Sequence, residues 1–417
     1  MEPPARRFCR PVYLALLLLS FCVPAQELRK ALPAAAQQPA ASRVINIPAD
    51  TSHLGIFLRA WVNNSQPLSF VLDSGAGSPM LIDSHRAQSL GLALHGKGQG
   101  GGAGESTYEI RFARGVQVRL DGAEFSDQVL AAIPLAPLEP FAGRKIDGLV
   151  GHDLFRRFVV EIDYEGQMVK LYEPQTYRYT GKGESLPLEV VNEHLHVPAK
   201  VTMPGREAIE GRFVVDTGAG PITAVLNSPF VESHKLLPVA GPSVLDNSLS
   251  GLGGETKRLV TRARSFQLGS FVMREPFVDL SRDAGGALAS REFDGIIGGE
   301  FLRRFKVIFD LRRHRLILEP GPRFSEPYEY NMSGMGLRAE GEQFDVFKVH
   351  RVFENSPAAA AGVREGDRIV AIDGKPARTF TLERLYRLFK QEGREYSFEI
   401  ERGAQRLRVK IRLRRMV

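Results

Sequence analysis

The sequence predicts a mostly β protein made of two homologous lobes in one chain, followed by a smaller α+β module. Three observations predict it. Phe70-Val71-Leu72-Asp73-Ser74-Gly75-Ala76-Gly77 returns as Phe213-Val214-Val215-Asp216-Thr217-Gly218-Ala219-Gly220. Asp147-Gly148-Leu149-Val150-Gly151 returns as Asp294-Gly295-Ile296-Ile297-Gly298, followed by tails ending Arg156-Arg157-Phe158 and Arg303-Arg304-Phe305. The two motifs lie 75 residues apart in the first copy, Asp73 to Gly148, and 79 in the second, Asp216 to Gly295. Two motifs repeated in order at matched spacing mark a duplication.

The segments follow in order. Residues 1–25 read as a secretory signal peptide: Arg6, Arg7 and Arg10 form a basic start, Val12 to Val23 a leucine-rich run, and Val23-Pro24-Ala25 a small-residue cleavage site. The run is too short to span a bilayer comfortably, which takes ~20 residues. The protein is therefore expected to be exported, to the periplasm or beyond, with an uncleaved N-terminal anchor as the alternative. Cleavage removes three arginines and one glutamate, lowering the net charge from +7 to +5. It also removes Cys9 and Cys22, the only cysteines, which excludes zinc ribbons, Cys-x-x-Cys redox sites and disulfide scaffolds. Residues 26–42 read as a flexible leader rich in Ala, Gln and Pro.

Lobe one is expected over 43–176 and lobe two over 184–320. Phe57–Val62 and Phe70–Leu72 are short β-rich runs split by Asn63-Asn64-Ser65, and Val116–Leu120 alternates with the strand period before a turn at Asp121-Gly122. Val159–Asp163 and Lys306–Asp310 each lead through a turn to another strand. Helices are short, over 83–90, 153–158 and 300–304. Pro320-Gly321-Pro322 reads as a linker that would let the last module be removed without unfolding the lobes. No stretch combines a basic face with stacking aromatics, so nucleic acid is not an expected partner.

An aspartate ending a buried apolar strand is costly unless its charge is used or paired. Here one stands in each lobe. If the lobes pack about a two-fold axis, Asp73 and Asp216 meet, and two adjacent carboxyl groups share a proton. The ionised member takes a proton from water, the protonated member holds a carbonyl oxygen, and the water attacks the carbonyl carbon. In this reading Gly75 and Gly218 permit the tight turns that aim the carboxylates, and Ser74 and Thr217 bond backbone in the opposite lobe. A buried aspartate capping its own turn would account for one copy, not for a symmetric pair.

These residues resemble the pepsin and retropepsin clan of aspartic proteases. Asp73-Ser74-Gly75 and Asp216-Thr217-Gly218 match its catalytic motif, and Asp147–Gly151 and Asp294–Gly298 resemble its second signature, over about residues 43–320. The lobes are close to a retropepsin subunit in size, but duplicated in one chain, as in bacterial retropepsin-like proteases with a PDZ module. The resemblance implies two acid-protease β-barrel lobes with catalytic Asp73 and Asp216. Both aspartates lie on one chain, so activity as a monomer is expected, and the shared proton leads to an expected optimum on the acid side of neutral. The resemblance also implies glycine-rich flaps, at Gly100, Gly101 and Gly102 in lobe one and Gly253 and Gly254 in lobe two; a flexible surface loop is the other reading. His53 and His194 occupy equivalent places without ligand-pair spacing, so packed or surface histidines are expected, and neither metal nor cofactor.

Over 331–417 the string Ser356-Pro357-Ala358, Gly366-Asp367 and Asp373-Gly374 resembles a PDZ domain. Leu382, Leu385 and Phe389 share one face of a helix over 381–391. Gly334, Met335, Gly336 and Leu337 form the loop expected to offer free N–H groups to a C-terminal carboxylate. The expected function is an exported aspartic endopeptidase acting on polypeptides, with C-terminal peptides bound by the PDZ domain. The alternative is a non-catalytic peptide-binding scaffold on the same fold.

Overall fold

The computed structural model describes residues 44–52, 54–237 and 241–417. The expected signal peptide 1–25, the leader 26–42, the first residue of lobe one and His53 lie outside the described residues. The described chain is mostly β, with short helices.

The two lobes repeat one arrangement in the same register. Strand Leu68–Leu72 runs parallel to Gly148–Val150, placing Phe70, Val71 and Leu72 opposite Gly148, Leu149 and Val150. Strand Ala208–Val215 runs parallel to Gly295–Ile297, placing Phe213, Val214 and Val215 opposite Gly295, Ile296 and Ile297. On the other side of each short strand lies an antiparallel third, Leu81–Asp83 or Ala224–Leu226. The chain thus leaves the first strand, makes the aspartate loop and returns on the far side of the central strand. The glycine in the central strand is required by close approach. A Cβ on Gly148 would stand 2.6 Å from the Leu81 carbonyl oxygen, and one on Gly295 would run into the Val225 carbonyl and the Phe213 ring.

The lobes join through Val159–Asp163 and Phe305–Asp310, paired antiparallel with Ile308 opposite Glu161. Phe155 and Phe309 meet across this seam edge to face, 4.9 Å apart, within an apolar core that runs through both lobes. Helices lie at Ser84–Ser89, His152–Arg157 and Gly299–Leu302. A further helix, Ser228–Ser233, is the lobe-two counterpart of Ser84–Ser89. Its Pro229 sits in the first turn, where a missing N–H costs nothing.

The last module stacks Met335–Glu340, Val346–Val352, Arg368–Ile372, Glu395–Arg402 and Gln405–Arg412 in that order, with Met335–Glu340 at the edge. Leu382, Leu385 and Phe389 are buried from helix Leu382–Leu388 and its end. Asp373 and Gly374 both have positive φ, as a two-residue hairpin turn demands.

The stretch read as a linker, Pro320-Gly321-Pro322, is tied down, with Gly321 N–H donating to Arg304 O at 2.8 Å, and the residues after it are packed, which corrects that expectation. Phe324 lies against Phe271 and Phe305. Arg304, fully buried, donates to the carbonyls of Arg323 at 3.2 Å and Pro327 at 3.4 Å and to that of Glu326, with its guanidinium over Tyr328. The Tyr330 hydroxyl donates to Asp246 of lobe two. The module is therefore docked on the lobes rather than hung from them.

Candidate active site

Asp73 and Asp216 each follow the last residue of their strand, and each backbone N–H extends the parallel pairing: Asp73 to Val150 O at 3.0 Å, Asp216 to Ile297 O at 2.9 Å. The two carboxyl groups are brought together and are fully buried. Their surroundings match atom for atom. Asp73 Oδ1 accepts from the N–H groups of Gly75 at 2.8 Å and Ala76 at 3.2 Å; Asp216 Oδ1 accepts from Gly218 at 2.8 Å and Ala219 at 3.2 Å. Oδ2 of each is buried without an N–H or hydroxyl donor. The carboxyl groups face one another and hydrogen-bond when one carries a proton. Burial, then the charge of Asp216, pushes Asp73 well above the usual carboxylate range, and burial pushes Asp216 up to about 6. One proton is held between two groups that would both be ionised in water.

Ser74 and Thr217 cross between the lobes. Ser74 N–H donates to Thr217 Oγ1 at 2.9 Å, and Thr217 Oγ1 donates to Leu72 O at 2.8 Å. Thr217 N–H donates to Ser74 Oγ at 3.0 Å, and Ser74 Oγ donates to Val215 O at 2.7 Å. Four bonds thus lock the loops symmetrically. Gly75 and Gly218 need a different explanation from the turn geometry expected of them, because neither has a positive φ. Each faces the opposite aspartate with no room for a Cβ, which would stand 2.6 Å from the Asp216 carboxyl carbon or 2.5 Å from that of Asp73.

Close to Gly75 of the first loop lies His194, which is buried, as is His196. Burial first, then the neighbouring His196, lowers His194 to about 3; burial, then Arg212, lowers His196 to about 4. His194 is thus a packed, neutral support. Among the described residues no group of three or more His, Cys, Asp or Glu side chains is placed to hold a metal.

The glycine-rich segments meet tip to tip. His95–Gly100 pairs with Tyr108–Leu120, Gly100 opposite Tyr108, and Ser250–Gly251 pairs with Gly254–Glu255. Gly104 N–H donates to Leu252 O at 3.0 Å and Ser106 N–H to Gly253 O at 2.9 Å. Gly102 is buried against Leu252, and Gly101 is half-buried. Each tip sends one apolar side chain into the other lobe. Leu252 enters the cluster of Phe57, Val71 and Ala76, and Ala103 enters that of Val214, Ala219 and Ile222. Sequence reading found the glycines and missed Leu252 and Ala103, apolar residues inside glycine runs, which were the available signal.

In the last module three of the four N–H groups expected to be free are in use. Gly334 donates to Asn331 Oδ1 at 3.3 Å, Met335 to Ser333 Oγ at 3.1 Å and Leu337 to Tyr386 Oη at 3.1 Å. A Cβ on Gly336 would collide with Ser248 of lobe two.

Two family models match segments of the chain. Residues 58–154 and 197–301 match a family model described as aspartyl protease, and residues 348–402 match one described as PDZ domain. No curated protein matches the chain. Among solved structures, the aspartic proteinase from Irpex lacteus aligns over 68% of this chain and 99% of its own, at 14% identity and a TM-score of 0.43.

Proposed function

The two lobes belong to the aspartyl protease family and the C-terminal module is a PDZ domain, and from that premise we propose an active endopeptidase in which Asp73 and Asp216 hydrolyse peptide bonds. The observation that carries this reading is the symmetric pair of buried carboxyl groups, each with one oxygen tied by two N–H groups and the other left facing its partner. One proton serves both.

In the reaction the ionised carboxylate takes a proton from a water molecule lying between the pair. The water oxygen forms a bond to the scissile carbonyl carbon, while the protonated carboxyl gives its proton to the carbonyl oxygen. The resulting gem-diol collapses. Its C–N bond breaks, the proton held by the first aspartate goes to the leaving nitrogen, and one hydroxyl proton returns to the second. A carboxylic acid and an amine leave, and no acyl group is attached to the enzyme. The crossing bonds of Ser74 and Thr217 keep the carboxyl groups from moving apart as charge shifts between them.

Both aspartates come from one chain, so this reading needs no second copy. Export is proposed on the basic, leucine-rich start and the small-residue site at Val23-Pro24-Ala25. The test incubates residues 26–417 with a diverse peptide mixture across pH and identifies new termini by mass spectrometry. Internal cleavages that vanish in Asp73→Asn support the reading. An unchanged mixture at every pH, with intact protein, contradicts it and favours a binding scaffold.

A further inference from the structure

We propose that the PDZ domain is a fixed wall of the substrate cleft, where Tyr386 and Phe353 select a bulky apolar side chain of the bound peptide. The inference rests on the reading of this cleft as a peptide-binding cleft. A cavity of about 160 Å³ begins at Gly218 and Ala219, the second and third residues after Asp216. Leu54, Phe57, Phe141 and Ile222 line it from the lobes, and Phe353 and Tyr386 line it from the PDZ domain. An apolar space of ~150 Å³ accepts a benzene-sized group.

The charges at its edge are already paired. Arg258 bridges Asp246, at 2.9 Å, and Asp279. Glu329 is held by Arg415 at 2.5 Å, and Lys390 lies 3.7 Å from Glu300. A charged side chain entering here would be desolvated beside charges already engaged with one another. An uncharged apolar one is favoured.

The wall is held in place from both sides. PDZ domains take extended peptides along an edge strand beside a helix, which here are Met335–Glu340 and Leu382–Leu388. Gly143 of lobe one already stands between them: a Cβ on it would lie 2.9 Å from Leu382 Cβ and 3.8 Å from Ala339 Cβ. Phe141 lies under the Arg338 guanidinium and packs edge to face on His350. The Tyr386 hydroxyl accepts from Leu337 N–H at 3.1 Å and donates to Leu337 O at 3.2 Å, using the edge groups that an added strand would need. From lobe two, Glu255 beside the flap tip reaches Arg351 at 3.0 Å, His350 at 3.1 Å and Arg338 at 3.5 Å. The groove is filled from within, and its helix turns Tyr386 toward the cleft.

The test measures Kd for uncleavable reduced-amide peptides carrying Phe or Ala in turn at each position around the reduced bond. Wild type should prefer Phe by about tenfold or more at one position, the discrimination expected of an apolar pocket. Tyr386→Ala and Phe353→Ala should erase most of that preference at that position alone, while Tyr386→Phe, which keeps the ring, should retain it. Preference unchanged in both alanine variants, or weakened equally at every position, overturns the proposal. Selective binding without cleavage contradicts the proposed catalysis and leaves this wall standing. Failure of wild type to bind any peptide overturns both.

Discussion

Gly218 faces Asp73 so closely that a Cβ on it would lie 2.5 Å from the Asp73 carboxyl carbon, and Gly75 faces Asp216 in the same way at 2.6 Å. Each carboxyl group is fully buried and tied by two N–H groups, so neither can swing aside. Gly75→Ala and Gly218→Ala should each separate the pair. A displacement of about 1 Å costs roughly 10²-fold in rate, and overpacking costs about 1–3 kcal/mol. kcat/KM and thermal unfolding of each variant read both effects; near-normal activity in either would contradict the close approach.

Thr217→Val keeps the shape of the side chain and removes its hydroxyl. Ser74 N–H then loses its acceptor and Leu72 O its donor, both in the interior. Stability should fall by about 1–3 kcal/mol, the cost of stranding a buried polar group, and activity should fall with it. Thr217→Ser should stay close to wild type. Equal denaturant midpoints for the valine and serine variants would show that the crossing bonds carry no weight.

Two sets of buried groups should make stability depend on pH in opposite directions. The unfolded histidines protonate near 6.5, but His194 and His196 are held neutral down to about 3 and about 4. Stability present above 6.5 is therefore lost as pH falls from 6.5 toward those values. The aspartates run the other way. Asp216 is raised from 3.8 to about 6 and Asp73 is raised well above 3.8. Stability present below 3.8 is lost as pH rises through about 6. The Asp73→Asn, Asp216→Asn double variant should be more stable than wild type at pH 8 and equal to it at pH 4. A His194→Gln, His196→Gln variant should flatten the acid side. Parallel melting curves for all proteins from pH 4 to 8 would contradict both assignments.

Removing residues 331–417 should not leave two healthy lobes. The cut would expose Phe141 and Val244, which packs with Phe353 and Val417, and would leave Glu255 without Arg338, His350 and Arg351. The truncated chain should melt lower, aggregate more readily and lose most activity on short peptides. A truncated protein with wild-type melting temperature and turnover would restore the view of the module as an independent attachment.

Most of the architecture was legible because the chain states it twice. The repeated Asp-Ser/Thr-Gly and Asp-Gly motifs marked both aspartate loops and both central strands, and Asp121-Gly122 and Asp373-Gly374 form turns, with positive φ at Gly122, Asp373 and Gly374. Local pattern could not reveal what each glycine faces. Gly75 and Gly218 look like turn residues in sequence, but they are small because the opposite aspartate occupies the space. The same blindness to distant partners hid the insertion of Leu252 and Ala103 into opposite lobes. It also made Pro320-Gly321-Pro322 read as a linker, although Arg304 binds Gly321 and the residues that follow it. Edge strand Met335–Glu340 carries the pattern of an open peptide-binding strand, and nothing local shows that Gly143 and Tyr386 close it.

The most direct test of the shared-proton pair is the hydrolysis rate of Asp73→Asn and Asp216→Asn, singly and together, on one peptide that wild type cleaves. Asparagine keeps the size of the side chain and cannot hold the shared proton. Each single variant should lose about 10²–10⁴-fold or more in kcat, the range ascribed to positioned acid–base groups. The double variant should be no worse than either, because the two act as one unit. Circular dichroism should show all three folded. A single variant that keeps substantial activity, or losses that multiply in the double variant, would contradict the account.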